Sequence, residues 1–465
     1  MSSKTPAPFE HPAFQGRIGV ARREITAPVG IHARNWGAAK HDACEGVHRP
    51  LFVTALVLQA DGGGEPLALL ALDLIHGGDL DNPLVTAARG ALGLNASRVM
   101  LAFSHTHAGP RWEPSGEDVP GAELVPAYGR WLAEQVAEAA REARANLQPA
   151  TLEFHYGRCG LATNRDLPDP AAARLLTGFH PAGEADDTLL VGRASGDDGR
   201  VLATLVNYAC HPTTFAWQNR LLSPDWVGAM REVVEGATGG APCVFLQGAS
   251  GELAPREQYT GDPEIVDRNG RQVGHAAAAA LEDMLPPRKR LVFDGVVESG
   301  APLAAWRRET CEPSRALEAG QLDLELPIKP DLPGAHEIEA QMRRTEDRAL
   351  RERLRRKLAL RKRLGEGSSF RAPVWVWRVG DAVLVGQINE AYSAFQRSLR
   401  ASFPQRAIAV MNVVNGSMGY LPPRELYVHD LYTVWQTPFA AGSLERLVEA
   451  GSAAVGKMVN GGGQR

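Results

Sequence analysis

Short apolar runs rich in Val, Leu and Ala alternate along this chain with longer amphipathic stretches, and that alternation restricts the fold more than any other feature. A helix on a sheet repeats its apolar residues every three or four positions, whereas a strand covered on both faces is apolar throughout. Residues 51–59 (LFVTALVLQ) and 66–75 (PLALLALDLI) are of the second kind, and the turn-forming Asp61-Gly62-Gly63-Gly64 lies between them, so they read as paired strands. Residues 82–93 then read as a helix and 99–104 as a strand. Leu124, Tyr128, Trp131, Leu132, Val136 and Ala139 recur at helical spacing, with charges between them, and predict a long helix over 121–146 lying against a sheet. Further strands are predicted over 200–209 and 242–247. The fold class is therefore α/β, with helices packed on sheets.

The remaining composition excludes several functions. Of the 465 residues, 44% are hydrophobic and 22% charged, which is the balance of a folded chain rather than a disordered one. The 50 Lys and Arg are outweighed by 54 Asp and Glu, a formal charge of -4, so no general basic field attracts phosphates and no nucleic acid is expected as a partner. Cys44, Cys159, Cys210, Cys243 and Cys311 form no C-x-x-C pair and read as reduced thiols. No apolar run approaches the ~20 residues that cross a bilayer, and the first residues lack the apolar core of a leader, so a cytoplasmic location is expected.

One catalytic domain over 1–465 is expected, with a charged helical insertion at about 312–369. Within it, 335–364 is dense in charge at helical spacing and reads as a solvated or edge helix, because acidic residues interleave with basic ones through its first half. Gly380-Asp381 between 373–379 and 382–386 predicts a hairpin.

Four patches carry residues capable of chemistry, and ligand sites in α/β proteins form where strands run out into loops. Phe103-Ser-His-Thr-His-Ala-Gly-Pro110 follows a predicted strand; on an extended segment its two histidines, at i and i+2, would share a face. They read as a metal ligand with a proton carrier, or as a hydrogen-bonded pair. Asn207-Tyr-Ala-Cys-His-Pro-Thr-Thr214 places His211 at a second strand exit, with Cys210 read as buried and inert. Glu390, in Gly386-Gln-Ile-Asn-Glu-Ala-Tyr392, ends an apolar strand and either caps the following helix or points into a cleft. Asn415-Gly-Ser-Met-Gly-Tyr-Leu-Pro-Pro423 is a turn able to present Tyr420.

The order and wording of these patches resemble the neutral/alkaline non-lysosomal ceramidase family in its N-terminal catalytic domain. The resemblance runs from Gly19-Val-Ala-Arg-Arg-Glu-Ile-Thr-Ala-Pro28 to Thr437-Pro-Phe-Ala-Ala-Gly-Ser-Leu-Glu-Arg-Leu-Val448. It implies a two-sheet β core flanked by helices and a catalytic Zn2+ held by His105, His211, Glu390 and Tyr420. By the same resemblance His107 is either a group supporting the first ligand or the proton carrier, and Arg165, in Thr163-Asn-Arg-Asp166, is the candidate for stabilising a developing oxyanion. The expected activity is hydrolysis of an amide, with an ester as the alternative, in a small-molecule or lipid-like substrate, by a metal-activated water.

The chain departs from that family at Gly251-Glu-Leu-Ala-Pro255, where Ala254 stands in place of the serine of G-D-x-S-P, and it ends soon after the catalytic-domain match. Two other readings stay open: serine-type catalysis from Ser250, and a binding protein without catalysis. Trp36 and the loop 112–117 are candidates to line a substrate cleft.

Overall fold

The apolar runs assemble into two sheets packed face to face. In the computed structural model, which describes residues 6–460 apart from 79, 80, 115 and 117, the larger sheet has eight strands. In spatial order they are Cys243–Gln247, Val201–Tyr208, Thr188–Gly196, Gln148–Arg158, Ala13–Glu24, Phe52–Gln59, Leu67–Leu72 and Val99–Phe103. Interior pairings are antiparallel, while the outermost pair at each end is parallel. The smaller sheet orders Leu317–Pro327, Ser369–Val379, Ala382–Gln387 and Ala407–Met411, and its last pair is also parallel.

Alternation along each strand explains the layering. Leu56, Leu58, Leu69, Met100 and Ala102 face the smaller sheet, and Val53, Ala55, Val57, Leu70, Leu101 and Phe103 face the helices Pro83–Leu92 and Val125–Ala145. In the other half, Leu190, Leu205, Val244 and Leu246 turn to the smaller sheet, and Val191, Val206 and Phe245 to the helices Trp226–Ala237 and Pro263–Glu282. Helices Ala394–Ser402 and Ser443–Asn460 add Phe395, Leu399, Leu444 and Leu447 to the core of the smaller sheet. Each such buried side chain contributes ~1.5–3 kcal/mol relative to exposure, so these interfaces are the main source of stability.

Local signals set the helices. Asn82 Oδ1 accepts from the Val85 amide at 2.9 Å, Pro83 opens the first turn, and Gly93 closes the helix at φ 66°. The helix Val125–Ala145 approaches the sheet at Gly19, where a Cβ would lie 1.9 Å from the Ala143 carbonyl oxygen. Its buried stripe is Val125, Tyr128, Leu132, Val136, Ala139, Ala140 and Ala143; Trp131, placed on that stripe by spacing, lies one position off it and is 38% exposed.

The stretch 312–369 is not helical throughout. Leu322, Leu324 and Leu326 alternate at period two, and Leu317–Pro327 is a strand of the smaller sheet. The helical part comprises Ala335–Arg344 and Arg348–Leu364, and Asp347 caps the second helix by accepting from the Leu350 amide at 2.7 Å. The hairpin turns at Gly380-Asp381 as expected, with Gly380 at φ 62°. Its Trp375 and Trp377 indoles donate to the carbonyls of Ala96 and Ser97, tying the smaller sheet to the start of Val99–Phe103.

Three strand–helix–strand units matter most for function. Leu67–Leu72 and Val99–Phe103 are joined through Pro83–Leu92, Val201–Tyr208 and Cys243–Gln247 through Trp226–Ala237, and Ala382–Gln387 and Ala407–Met411 through Ala394–Ser402. Parallel partners point the same way, so each unit exposes two carboxyl ends side by side. The units are stitched together there. Asn207 Nδ2 donates to the Val410 carbonyl at 2.8 Å, the Asn412 amide donates to the Gln247 carbonyl at 3.0 Å, and Asn415 Oδ1 accepts from the Leu101 amide at 2.7 Å. Strand exits distant in sequence are thereby gathered at one place. Among the described residues no helix is long and apolar enough to cross a membrane.

Candidate metal centre and active site

The histidines leave their strands in different ways from the extended arrangement expected. After Phe103 the ladder continues as the Ser104 and His105 amides donate to the carbonyls of Leu72 and Leu74 at 2.8 and 3.0 Å. His105 then adopts φ 66°, a left-handed conformation uncommon for a residue with a side chain and typical of functional turns. H-T-H is therefore a tight turn, and period-two alternation does not aim its rings. Thr106 Oγ1 donates to the Ser223 carbonyl at 2.7 Å and the His107 amide to the Pro212 carbonyl at 3.3 Å, which fixes the turn against the loop that carries His211.

Backbone carbonyls orient the rings. His105 Nδ1 lies 2.5 Å from the Ile75 carbonyl and His211 Nδ1 lies 2.7 Å from that of Ser250. A carbonyl only accepts, so in each ring Nδ1 carries the proton and Nε2 keeps a lone pair. These Nε2 atoms lie 3.3 and 3.1 Å from the same oxygen, Glu390 Oε2. Burial, and next the charge of Arg165, hold His211 down at about 4, so it is neutral at physiological pH. His107 has both ring nitrogens buried with no hydrogen-bond partner among the described residues, and its ring centroid is 5.1 Å from that of His105. One ligand atom from each of His105, His107 and His211 lies within 4.8 Å of the others. Burial and the neighbouring imidazoles keep His107 well below its ordinary value.

Glu390 and Tyr420 complete the cluster. They are register partners in the two-residue parallel ladder of Glu390–Ala391 with Tyr420–Leu421, and burial and the Glu390 charge push the phenol well above its ordinary value. Arg165 lies behind the phenol: Nη2 donates to the Tyr420 hydroxyl at 3.2 Å, and Nε and Nη2 to the Gly251 carbonyl at 3.2 and 2.7 Å. The cap of the helix Ala394–Ser402 is not Glu390. Glu252 fills that role, its carboxylate accepting from the Ser393 amide at 2.9 and 3.0 Å and from the Ser393 hydroxyl.

The cluster opens into a cavity of about 360 Å³, whose wall includes His105, His107, Glu390, Tyr420, Trp112 and Tyr432. Sequence reasoning missed Tyr432, which sits in no distinctive pattern; its ring is 5.6 Å from Tyr420 and its hydroxyl accepts from Arg356 Nη1 at 3.4 Å. It also misread the charged helix. Arg355, Ala359 and Arg363, with Arg356 and Leu360 beside them, form one face of Arg348–Leu364 and line the cavity, so this helix is not merely a solvated edge. The available signal was the i, i+4, i+8 spacing of Arg355, Ala359 and Arg363.

Other candidates have quieter roles. Ser250 is 1% exposed, its hydroxyl accepts from Gln247 Nε2 at 2.7 Å, and no imidazole reaches that hydroxyl among the described residues. Ala254 is buried in a short strand opposite Thr163. Cys210 is fully buried, and burial raises its thiol well above the ordinary value. Trp112 lines the cavity, and Trp36 packs 5.2 Å from His107; Ser115 and Glu117 of the same loop lie outside the described residues.

The fold and site together define a two-sheet α/β protein whose strand exits converge on a buried imidazole–carboxylate–phenol cluster. That fold is the neutral ceramidase fold. The structure superposes on neutral ceramidase from Pseudomonas aeruginosa with a TM-score of 0.68 at 17% identity, covering 97% of this chain and 75% of that one. It superposes on a ceramidase complexed with C2 with a TM-score of 0.67 at 16% identity, covering 95% and 74%. No family model and no curated protein matches the sequence.

Proposed function

We propose that this chain is a zinc-dependent hydrolase of amide bonds. The observation that supports the reading best is the pair of Nε2 lone pairs, on His105 and His211, directed at one oxygen of Glu390 while their Nδ1 atoms are held by carbonyls. With Tyr420 they make a nitrogen–oxygen donor set that would suit Zn2+. The fit is supported further by the buried nitrogens of His107, which have no partner among the described residues and are costly to leave so unless something at the centre engages them. The amide comes from the name of the structural neighbours.

Zinc held there would polarise a carbonyl and lower the pKa of a water toward ~7. The protein's own groups divide the rest. His107, neutral and without a hydrogen-bond partner among the described residues, takes a proton from water as its oxygen bonds to the carbonyl carbon, and delivers it to the nitrogen as the C–N bond breaks, leaving a carboxylic acid and an amine. The Tyr420 oxygen belongs to the donor set that would hold the metal. Arg165 acts through Tyr420, keeping a positive charge behind that phenol.

The test is metal analysis of the purified protein followed by an amidase screen with and without a chelator. Stoichiometric zinc and chelator-sensitive release of amine are expected; a chain that cleaves amides while free of metal would sink the reading.

A further inference from the structure

The cavity beside the cluster has the wrong wall for a wholly apolar substrate. Arg111, Arg355, Arg356 and Arg363 all line it, and among its described lining residues only Glu113 and Glu390 carry carboxylates. Glu352, at the back of the wall, holds Arg355 through Nη2 at 2.7 Å and Arg356 through Nε at 2.9 Å, which orients these guanidinium groups without taking them out of the lining. Among the described residues positive charge is in excess even with Glu352 counted, and a divalent cation at the cluster would add to it. An acyl chain laid against such a wall would strip water from guanidinium groups and return no hydrogen bonds, a costly exchange.

Position sharpens the argument. A second, more open cavity of about 960 Å³ shares Trp112, Glu113, Pro114, Ala359 and Arg363 with the first. Arg363 therefore stands where the inner pocket meets the outer groove, anchored by a bond from Nη1 to the Ser417 carbonyl at 3.2 Å. Arg356 lies at the inner end, bonded to Tyr432, whose ring packs on Tyr420. The guanidinium groups thus run along one wall from the reacting end to the mouth, while Trp112 and Pro114 give the shared region an apolar side. Planar guanidinium forks are the side chains best matched to carboxylate and phosphate oxygens.

We propose that the substrate is an amide carrying an oxyanion substituent, a carboxylate or a phosphate, which the arginine wall of Arg348–Leu364 and Arg111 recognises while the amide lies at the imidazole cluster. This rests on the hydrolase reading and adds the substrate class to it.

The experiment compares kcat/KM of the zinc-loaded full chain for three amides with one acyl group: N-hexanoylglycine, N-hexanoyl-O-phosphoethanolamine and the neutral N-hexanoylethanolamine. At least one anionic amide should exceed the neutral one by about tenfold or more, and which of the two does so distinguishes carboxylate from phosphate. In Arg363→Gln and Arg355→Gln that ratio should fall toward one, with partial recovery in Arg363→Lys; because each ratio is taken within one variant, loss of folded protein cancels. Equal turnover of all three amides by the unaltered chain overturns the anion inference and leaves the hydrolase reading standing. If no amide is cleaved, calorimetric titration with N-hexanoylglycine and the phosphate amide decides. Binding that weakens about tenfold in Arg363→Gln keeps the anion site and overturns the hydrolase reading, and no binding of either overturns both.

Discussion

Glu390 and Tyr420 are direct register partners in a parallel ladder only two residues long, so one backbone pairing delivers both the carboxylate and the phenol to the histidine cluster. The pairing is reinforced by the Glu390 amide, which donates to the Gly419 carbonyl at 2.9 Å. Glu390→Gln should therefore lose metal affinity by about 10- to 100-fold or more, since it removes the charge that two imidazoles face. Tyr420→Phe should keep more of the metal and lose turnover. Metal content by mass spectrometry, read beside amide hydrolysis, separates the two effects.

His105→Ala and His211→Ala each remove an Nε2 aimed at the centre and should abolish both bound zinc and activity. His107→Ala should differ. As a proton carrier its loss should cost about 10²- to 10⁴-fold in kcat with zinc retained, and the limb of the pH–rate profile that reports the carrier should vanish. Zinc lost from His107→Ala would instead make this imidazole a ligand.

Ser250→Ala should be nearly silent in catalysis. Its hydroxyl serves Gln247, and the group that orients His211 is the Ser250 backbone carbonyl, which the substitution keeps. A stability cost of about 1 kcal/mol from the lost hydrogen bond is expected in a denaturant titration, with no inactivation of the unaltered enzyme by a serine-directed phosphonate. Inactivation by that reagent would restore the serine reading.

Glu252 makes stability depend on pH. Burial pushes its carboxyl up to about 7, against bonds from Ser393 that favour the ionised form, while in the unfolded chain it titrates near ~4.3. A folded value above the unfolded one means the folded state holds the extra proton. Its contribution is full below the unfolded value and is lost as pH rises through about 7. At ~1.4 kcal/mol per unit the change is of order 4 kcal/mol at most. Glu252→Gln should flatten the midpoint of urea unfolding across this window relative to the unaltered chain, and an unchanged slope would show that another group is responsible.

The candidate site was legible where a residue sits at the end of an apolar run. Val99–Phe103, Val201–Tyr208 and Ala382–Gln387 announce themselves by composition, and the polar residues after them stand out because nothing in a buried strand requires them. The aim of those residues was not legible. His105 turns left-handed and escapes the alternation that holds within the strand, and Glu252 rather than Glu390 caps Ala394–Ser402 because the cap arrives from a segment distant in sequence. Tyr432 sits in no distinctive pattern, and the spacing of Arg355, Ala359 and Arg363 marks one face of Arg348–Leu364 without saying whether that face meets water or a cavity.

The sequence by itself determined the kinds of elements and the faces they bury, because period and turn chemistry act between residues close along the chain. Only the tertiary structure decided that three parallel strand pairs gather their carboxyl ends, so that His105, His211, Glu390 and Tyr420 meet, and that an arginine-rich helix lines the cavity beside them. Those outcomes depend on contacts between segments hundreds of residues apart, such as Asn415 with Leu101 and Asn207 with Val410, whose energies exist only once the layers have packed.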